Sequence, residues 1–382
     1  MTLSKRDEPS KTSRAWAEID LAALRHNARE LMRLLPRGCE MMAVVKADAY
    51  GHGAVKTAPE LARCGITAFA VATISEGLEL RRAGVTGEIL VLGYTNPEDA
   101  ALLMRHNLSQ MIVDGAYARA LNSTGVPLNV HIAIDTGMHR LGMNYTNFDE
   151  IASVFTCENL TVAGTASHLS SSDSLHESDV EATTAQIEQF YETVEALRKN
   201  GCNPGKLHIQ ATYGIVNYPG LPCDYARAGI ALYGVLSANG DTKTSLALRP
   251  VLSLRARVAE VRWIEPGETV SYGRTFEALM PTKIATITIG YADGLPRQMS
   301  GNGGYGLLHG KRATILGRIC MDLTVLDATE IDVAPGDIVT LIGSDGGETI
   351  RCEDVAERAG TITNDILCRL APRVVRVYTG AK

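Results

Sequence analysis

From residue 41 to about residue 233, the chain alternates short apolar runs with longer amphipathic stretches. Strands that alternate with helices in this way indicate repeated βα units around a parallel sheet. Eight units can be counted, which predicts an α/β fold, a TIM (β/α)8 barrel. A clear helix is predicted over residues 180–199 from its apolar periodicity. The predicted strands cover residues 41–46, 68–72, 88–92, 110–113, 128–134, 160–166, 206–209 and 225–231.

After Tyr233 the pattern changes to β-branched runs punctuated by glycine, such as TKIATITIGYA, ATILG and DIVTLIG. Such runs, with turns like EPGE and APGD between them, predict a separate, mainly β domain. The length of 382 residues agrees with two domains, because single hydrophobic cores stop growing near roughly 250–300 residues. The polar segment 237–245 marks the boundary, so we expect a barrel domain over 15–240 and a C-terminal β-domain over 241–382.

Residues 1–14 are polar and charged and are interpreted as a disordered leader or linker. They lack the apolar core of a signal peptide, and no apolar run in the chain approaches the ~20 residues that a membrane helix needs. We therefore expect a cytoplasmic chain that does not itself contact a membrane.

The composition favours small-molecule chemistry. A net charge of -6 gives no reason to expect nucleic-acid binding, since nucleic-acid binders carry a basic surplus. The eight cysteines are scattered without C-x-x-C spacing, so neither a metal site nor a disulfide framework is predicted. This pattern suits a reducing cytoplasm.

Polar residues follow several of the predicted barrel strands. Lys46 ends the first strand, Arg140 follows the fifth, His168 closes the sixth, Thr212 follows the seventh and Arg227 lies on the eighth. Reactive groups of TIM-barrel enzymes sit at the C-terminal ends of the strands. A lysine after the apolar residues of AVVK would be a buried amine with a lowered pKa, as Schiff-base chemistry requires. A lone strand-end lysine more often points to solvent, so its neighbours must decide.

The segment VVKADAYGHG resembles the cofactor-lysine signature of alanine racemases, which are fold-type III pyridoxal-phosphate enzymes. The segments DTGMHRLG, ARAGIALYG, VSYGRTF, IGYADGLPR and GRICMD resemble further parts of that family, in the family's order. Together the resemblance covers nearly all of residues 15–377. It implies a TIM barrel, a β-domain and a head-to-tail homodimer whose active sites are shared between subunits.

The resemblance also implies a binding site for pyridoxal 5'-phosphate. Lys46 corresponds to the family's Schiff-base lysine and Tyr50 to a phosphate-binding tyrosine. Thr212 stands where the family has a phosphate-binding serine, and Gly229 and Ile230 would offer backbone N–H groups to the phosphate. A cradle of neutral donors is physically reasonable, because peptide dipoles bind a dianion well.

By the same resemblance, Arg227 faces the pyridine nitrogen and His168 supports it. A guanidinium does not give up a proton, so it keeps that nitrogen unprotonated and the ring a weaker electron sink. Tyr272 corresponds to the second catalytic base, opposite Lys46, since racemisation needs a proton carrier on each face. Outside these motifs, Arg227 would be interpreted as half of a structural ion pair and Tyr272 as packing.

Three further residues correspond to substrate-binding positions of the family. Arg140 resembles the arginine that contacts the substrate carboxylate, which suits its planar fork of donors. The backbone N–H of Met321 would assist with the carboxylate, and Tyr291 would line the opening of the site.

Three positions depart from the family pattern. The polar HLSSSDS follows His168 where an apolar stretch is usual, and Ala133 replaces a lysine that braces the arginine corresponding to Arg140. Asn364 stands where alanine racemases commonly have a tyrosine over the substrate side chain. Its amide offers a donor and an acceptor to a hydroxyl, which predicts serine as a substrate beside alanine. The alternative is that Asn364 only forms a turn.

Serine-accepting racemases of this kind occur in vancomycin resistance, where the racemase part follows a membrane-embedded region and supplies D-serine for cell-wall precursors. We therefore expect a chain close in character to that serine/alanine racemase part, and the charged leader suits the junction with such a region. A full-length gene product that begins at Met1 would contradict this last expectation.

Four other functions remain open at this stage. They are a strict alanine racemase, a fold-type III amino-acid decarboxylase, a non-catalytic protein that binds pyridoxal phosphate, and a TIM-barrel enzyme of unrelated chemistry. The decarboxylase is disfavoured by VSYG and GRICMD, and the non-catalytic protein by the presence of the second domain.

Overall fold

The computed structural model describes residues 13–380, and these residues form two large sheets. The strands are β1 Ala15–Asp20, β2 Glu40–Val44, β3 Ala68–Val71, β4 Glu88–Val91, β5 Ser109–Ile112, β6 Leu128–Asp135, β7 Met143–Asn144, β8 Leu160–Ala166, β9 Lys206–His208, β10 Tyr225–Ala228, β11 Leu252–Ile264, β12 Thr269–Val270, β13 Phe276–Glu277, β14 Thr282–Ile287, β15 Tyr305–Leu308, β16 Lys311–Thr314, β17 Thr324–Asp327, β18 Ile338–Asp345, β19 Glu348–Ile350 and β20 Val375–Thr379.

Most of the α-helices accompany the strands of the first sheet. They are α1 Leu21–Met32, α2 Lys46–Tyr50, α3 Ala54–Arg63, α4 Ile74–Arg82, α5 Ala100–Arg105, α6 Gly115–Asn122, α7 Phe148–Ser153, α8 Glu177–Lys199, α9 Thr212–Asn217, α10 Cys352–Ala359 and α11 Thr363–Cys368. Short 3-10 turns cover Pro97–Asp99, Val154–Thr156, Ile230–Tyr233, Tyr272–Arg274, Tyr291–Asp293 and Arg297–Met299.

The first sheet is a nearly closed parallel barrel, which confirms the predicted TIM fold. Its order is β10-β2-β3-β4-β5-β6-β8-β9. Individual hydrogen bonds close the seam between β9 and β10, from Asp224 N to Leu207 O at 2.8 Å and from Arg227 N to Gln210 O at 3.0 Å. The strand ladders consist mostly of buried apolar residues, as parallel strands covered on both faces require.

Several predicted elements differ at their ends, and the eighth barrel strand stops three residues early, at Ala228. The first barrel strand stops at Val44, because the chain turns sharply into α2 at Lys46. Helix α8 begins three residues before the predicted start, at Glu177. Its first turn carries Glu177 and Asp179, which favour a helix N-terminus through the helix dipole.

The second sheet is mainly antiparallel and confirms the predicted β-domain. Its central order is β16-β15-β18-β11-β1-β20. The N-terminal strand β1 belongs to this sheet, where it pairs antiparallel with β11 and parallel with β20. The chain therefore forms one strand of the β-domain sheet before it forms the barrel. The predicted domain boundary at residue 240 stays a prediction.

The expected leader falls mostly outside the described residues, which begin at Ser13. Ser13 O accepts a hydrogen bond from Arg257 Nε at 3.0 Å, and Arg14 forms an ion pair with the buried Asp293. Within residues 13–380, none of the helices combines the length and apolar character needed to cross a membrane.

Candidate active site

A cavity of about 650 Å³ opens where several barrel strands end. It is partly apolar and receives side chains from barrel loops and from α11. The cavity brings together nine of the twelve residues that the sequence singled out, namely Lys46, Tyr50, Arg140, His168, Thr212, Arg227, Gly229, Ile230 and Asn364.

Lys46 begins a turn with unusual backbone geometry. Ala47, Asp48 and Ala49 have φ values of 53°, 54° and 54°, in the left-handed region that non-glycine residues avoid at a cost of roughly 1–2 kcal/mol per residue. Strain of this kind persists only where the surroundings enforce it, and it concentrates at functional sites.

The carboxylate of Glu76 holds this turn against the neighbouring strand. Its two oxygens accept hydrogen bonds from the backbone N–H groups of Ala47 and Ala72, both at 2.7 Å. Glu76 lies at the third position of α4 and also closes the capping box with Thr73. One carboxylate therefore starts a helix and fixes the direction in which Lys46 leaves the barrel.

Two glycines after Lys46 allow the turn to pack closely against the C-terminal part of the chain. A Cβ at Gly51 would lie 2.2 Å from Leu367 O, and one at Gly53 would lie 1.8 Å from the hydroxyl of Tyr378. Both glycines have positive φ values, 78° and 89°. The glycine-rich turn is thus required by sterics as well as by backbone conformation.

Burial lowers the pKa of Lys46, and the positive charges of Arg140 and Arg227 lower it further. Cys368 and Glu76 act in the opposite direction but do not outweigh these effects. A larger neutral fraction makes the amine a better nucleophile and base.

Arg227 is a buried cation, 6% exposed, whose partners are all neutral. Its terminal nitrogens donate to His208 O and His208 Nδ1, both at 2.7 Å, and to Ser167 O at 2.7 Å. His168 Nδ1 lies 3.2 Å away. Burial and the charge of Arg140 lower the pKa of Arg227 to about 10, so it remains charged at neutral pH.

Burial and the nearby positive charge of Arg227 also lower the pKa of His168 to about 3. Its imidazole is therefore neutral at physiological pH and can accept a hydrogen bond from Arg227. This end of the cavity carries fixed positive charge, and none of the carboxylates within residues 13–380 is bonded to Arg227. Such a site suits an electron-rich aromatic nitrogen or an anion.

Tyr50, Thr212 and Gly229 form a neutral cradle on one wall of the cavity. The Gly229 N–H donates to Thr212 Oγ1 at 3.1 Å. A Cβ at position 229 would lie 2.9 Å from the Tyr50 hydroxyl, so glycine keeps this space open. Hydroxyls, glycine backbone and the neighbouring Ile230 converge as a phosphate group would require.

Asn364 lines the cavity and carries an unsatisfied polar atom. Its Oδ1 is buried and has no hydrogen-bond partner among the described residues. The side chain lies in the first turn of α11, which is anchored by Thr363 through hydrogen bonds to Ser237 O and Leu236 O. Because a buried polar group without a partner is costly, Asn364 is prepared to bond a group that enters the cavity.

Arg140 and Ala133 both line the cavity, but Arg140 is not braced. In the described part of the chain, its guanidinium has no hydrogen-bond partner and is exposed. The guanidinium of Arg140 is therefore free to bond a ligand carboxylate.

Tyr272, Tyr291 and Met321 do not line the cavity. They lie in the β-domain, where they are 71%, 42% and 53% exposed. Hydrogen bonds join the loops of Tyr291 and Met321, with Tyr291 N donating to Cys320 O and Ala292 N to Met321 O, both at 3.0 Å. The loop of Tyr272 meets them through Ser271, whose Oγ lies 3.2 Å from Cys320 Sγ. The structure therefore shows two clusters of predicted site residues in one chain.

Sequence reasoning missed two residues that shape the cavity indirectly. Glu76 could have been found, because the capping box TISE is visible after the second barrel strand. His208, which holds Arg227, gave no signal, because a histidine in the strand KLH is as readily a core residue as a functional one.

Comparison with known proteins agrees with this organisation. Residues 19–237 match the family model "Alanine racemase, N-terminal domain", and residues 251–378 match "Alanine racemase, C-terminal domain". An alanine racemase of Geobacter sp. (strain M21) is 41% identical, over 95% of this chain and 98% of its own length.

Two Enterococcus proteins are similar over only part of their length. An amino-acid racemase of Enterococcus faecalis is 42% identical, over 97% of this chain and 52% of that protein. A serine/alanine racemase of Enterococcus gallinarum is 41% identical, over 96% of this chain and 52% of that protein. The chain thus spans about half the length of these two relatives.

Among solved structures, an alanine racemase from Bacillus anthracis with bound L-Ala-P superposes with a TM-score of 0.89. It is 31% identical, and the match covers 97% of this chain and 96% of that one. Because both family domains match and the relatives align over nearly the whole chain, this chain belongs to the alanine racemase family, a family of amino-acid racemases and hence of isomerases.

Proposed function

We propose that the chain is a pyridoxal-phosphate-dependent racemase that interconverts the enantiomers of serine as well as those of alanine. Lys46 and Tyr272 are the two proton carriers in this proposal, and Asn364 recognises the serine hydroxyl. Two observations carry the serine assignment: Asn364 lines the cavity, and its buried Oδ1 has no hydrogen-bond partner among the described residues.

The residues of the cavity fit pyridoxal phosphate. Tyr50, Thr212 and the backbone of Gly229 and Ile230 would hold its phosphate, and Arg227, supported by His168, would face its ring nitrogen. When bound, the cofactor would supply an electron sink that makes the substrate's Cα–H acidic.

Lys46 takes or returns the α-proton on one face of the substrate, because its lowered pKa leaves a usable neutral amine. Tyr272 takes or returns it on the other face, so the centre can be inverted rather than restored. Since Tyr272 does not line the cavity of its own chain, the proposal requires that it enters the cavity of a second subunit. We therefore propose a homodimer with shared sites.

The substrate carboxylate is bound by Arg140, whose free guanidinium lies at the cavity wall. In the same homodimer, the backbone N–H of Met321, an exposed residue, assists from the partner, and Tyr291 lines the opening. A charge-assisted pair with Arg140 orients the amino acid so that its side chain extends toward Asn364.

Asn364 discriminates by hydrogen bonding. A site that bonds a hydroxyl gains with serine an interaction that it does not gain with alanine, so serine is favoured without alanine being excluded. The Enterococcus gallinarum relative, whose name includes serine, supports this assignment. A strict alanine racemase is the alternative, with Oδ1 then bonded to water.

The biological role that we propose is supply of D-serine or D-alanine for cell-wall precursors in the cytoplasm, in the setting of vancomycin resistance. The half-length match to the Enterococcus relatives supports a racemase unit that also occurs within longer proteins. A strain that lacks the gene should need added D-amino acid, or lose resistance, and a strain that shows neither would contradict this role.

The experiment that tests the proposed activity follows exchange of the α-proton in deuterium oxide with L-serine and L-alanine separately, with pyridoxal phosphate present. We expect both enantiomers of each substrate to form, with serine inverted at a rate comparable to or above that of alanine. Inversion of alanine alone would make the chain a strict alanine racemase. Release of carbon dioxide would indicate a decarboxylase, and cofactor binding without exchange would indicate a non-catalytic protein.

A further inference from the structure

A line of hydrogen-bonded side chains runs from Arg227 through the interior of the barrel to its N-terminal end. Arg227 bonds His208 Nδ1, and His208 Nε2 lies 2.8 Å from His131 Nδ1. His131 Nε2 lies 2.8 Å from Glu88 Oε1. The other Glu88 oxygen accepts from the Tyr225 hydroxyl at 2.7 Å.

The proton positions along this line follow from its two ends. A guanidinium can only donate, so His208 Nδ1 accepts and His208 carries its proton on Nε2. That proton is donated to His131 Nδ1, so His131 also carries its proton on Nε2 and donates it to Glu88. The Glu88 carboxylate can only accept a hydrogen bond, which agrees with the donor-to-acceptor order that Arg227 sets from its end of the line.

The line is built into the fold rather than accidental. Both imidazoles are fully buried. A Cβ at Gly164 on β8 would lie 2.5 Å from His131 Nδ1, so glycine makes room for this ring. Burial alone would raise the pKa of Glu88, but the hydrogen bonds from His131 and Tyr225 and the charge of Lys206 oppose this and lower the pKa.

We propose that His208, His131 and Glu88, here called the imidazole chain, act as positioning residues that hold Arg227 as a donor toward the bound cofactor. The terminal nitrogens of Arg227 are engaged by His208, His168 and backbone carbonyls, whereas its Nε–H has no partner among residues 13–380. This donor is left for the cavity that Arg227 lines. Glu88 is the first carboxylate in the network, two imidazoles away from Arg227.

The separation of charge has a chemical consequence. A carboxylate bonded directly to Arg227 would compete for its donors and neutralise its field at the cavity. Two neutral imidazoles keep the guanidinium in one orientation while the compensating charge stays at the far end of the barrel. This inference extends the proposed function, because it takes Arg227 as the residue that faces the cofactor ring.

The first test reads the histidine tautomers directly, by long-range ¹⁵N–¹H NMR spectra of the holoenzyme labelled in histidine. We expect His131 and His208 to be neutral with the proton on Nε2 between pH 6 and 8. His52 is an internal reference for the opposite tautomer, because its Nδ1 lies 2.8 Å and 3.1 Å from two backbone carbonyl oxygens. A proton on Nδ1 of His131 or His208, or a doubly protonated ring, would overturn the inference.

The second test replaces the carboxylate, as Glu88→Gln, in the same labelled holoenzyme. The amide oxygen can still accept from His131 while its NH2 group donates to the Tyr225 hydroxyl, so we expect the tautomers to persist, but no negative charge remains at the far end of the barrel. We also expect kcat for L-alanine to fall roughly tenfold, as when an orienting outer hydrogen bond is lost at a metal site, while KM stays within about twofold. An unchanged kcat in this variant would overturn the role of Glu88.

The matched control is Glu40→Gln, which removes a carboxylate at the same end of the barrel. Glu40 accepts from Thr67 and pairs with Lys206 but bonds no imidazole. In Glu40→Gln we expect the tautomers of His131 and His208 and the value of kcat to match those of the unmodified enzyme. An equal fall in kcat in Glu40→Gln and Glu88→Gln would overturn the inference. An inactive protein with the expected tautomers would contradict the proposed function but not the imidazole chain.

Discussion

Asn364 is the residue on which substrate choice is proposed to depend. Its buried Oδ1 has no partner, and the residue reaches the cavity from the first turn of α11. A hydroxyl on the substrate would satisfy this atom, whereas a methyl group would leave it unpaired. The cost of an unsatisfied buried acceptor is about 1–3 kcal/mol, enough to change relative rates by an order of magnitude or more.

The variant Asn364→Tyr tests this directly. A phenol ring fills the space of the serine hydroxyl and removes the amide, so we expect kcat/KM for L-serine to fall at least about tenfold relative to that for L-alanine. The measurement is the ratio of the two kcat/KM values in the same preparation. Asn364→Asp, which keeps an acceptor of the same size, is the matched comparison, and an unchanged ratio in Asn364→Tyr would remove Asn364 from the proposal.

His52 gives a prediction on pH dependence. Burial and the charge of Arg376 lower its pKa to about 4, although the hydrogen bonds to the carbonyls of Tyr50 and Ala49 partly oppose this. Between pH 6.5 and 4 the unfolded chain binds a proton at this histidine and the folded chain does not, so stability falls as the pH is lowered through this range.

For the unmodified protein, this histidine removes about 2 kcal/mol of stability between pH 7 and pH 5. In His52→Asn, whose amide can donate to the same carbonyls, we expect the difference between the unfolding free energies at pH 7 and pH 5 to shrink by that amount. Denaturant titrations at the two pH values measure it. His176→Asn, at an exposed histidine, is the control, and an equal change in both variants would contradict the prediction.

Among the elements, the turn α2 has the least favourable local geometry. The residues after Lys46 have left-handed backbone conformations. Helix α4 holds this turn through the carboxylate of Glu76, which accepts hydrogen bonds from the backbone N–H groups of Ala47 and Ala72. The turn and the start of α4 should therefore lose their conformation together.

The variant Glu76→Gln tests this coupling. The glutamine oxygen can accept from only one of the Ala47 and Ala72 N–H groups. The other N–H group then faces the glutamine NH2, which is also a donor, and its lost hydrogen bond costs about 1–3 kcal/mol. We expect a lower free energy of unfolding by that amount and weaker retention of pyridoxal phosphate, measured by denaturant titration and by equilibrium dialysis. Glu79→Gln, at an exposed position of the same helix, should change neither, and an unaffected Glu76→Gln would show that the turn is held elsewhere.

At the scale of the whole molecule, the chain separates its predicted site residues into two clusters. Nine line the barrel cavity, while Tyr272, Tyr291 and Met321 are exposed on the β-domain. A closed two-fold dimer repeats each contact, so each cavity would meet the β-domain cluster of the other subunit.

Mixing of two inactive variants tests this arrangement. In a mixed dimer of Lys46→Ala and Tyr272→Phe, one of the two sites would contain both Lys46 and Tyr272, and the other neither. After random exchange of subunits in equal amounts, we expect about one quarter of the unmodified activity to return, since half of the dimers are mixed and each has one complete site. Lys46→Ala mixed with the double variant Lys46→Ala/Tyr272→Phe should recover none. No recovery in the first mixture, with exchange verified by mass, would place both residues in one chain's site.

The sequence alone determined the eight-stranded barrel, the following β-domain and the family, because strand periodicity and the motifs around Lys46 and Arg227 are local patterns. The roles of individual site residues stay predictions. Tertiary structure decided that β1 joins the second sheet, that Glu76 holds the Lys46 turn and that His208 connects Arg227 to Glu88. These contacts join residues that are far apart in the chain, and they depend on sheet register and barrel closure, which no local pattern specifies.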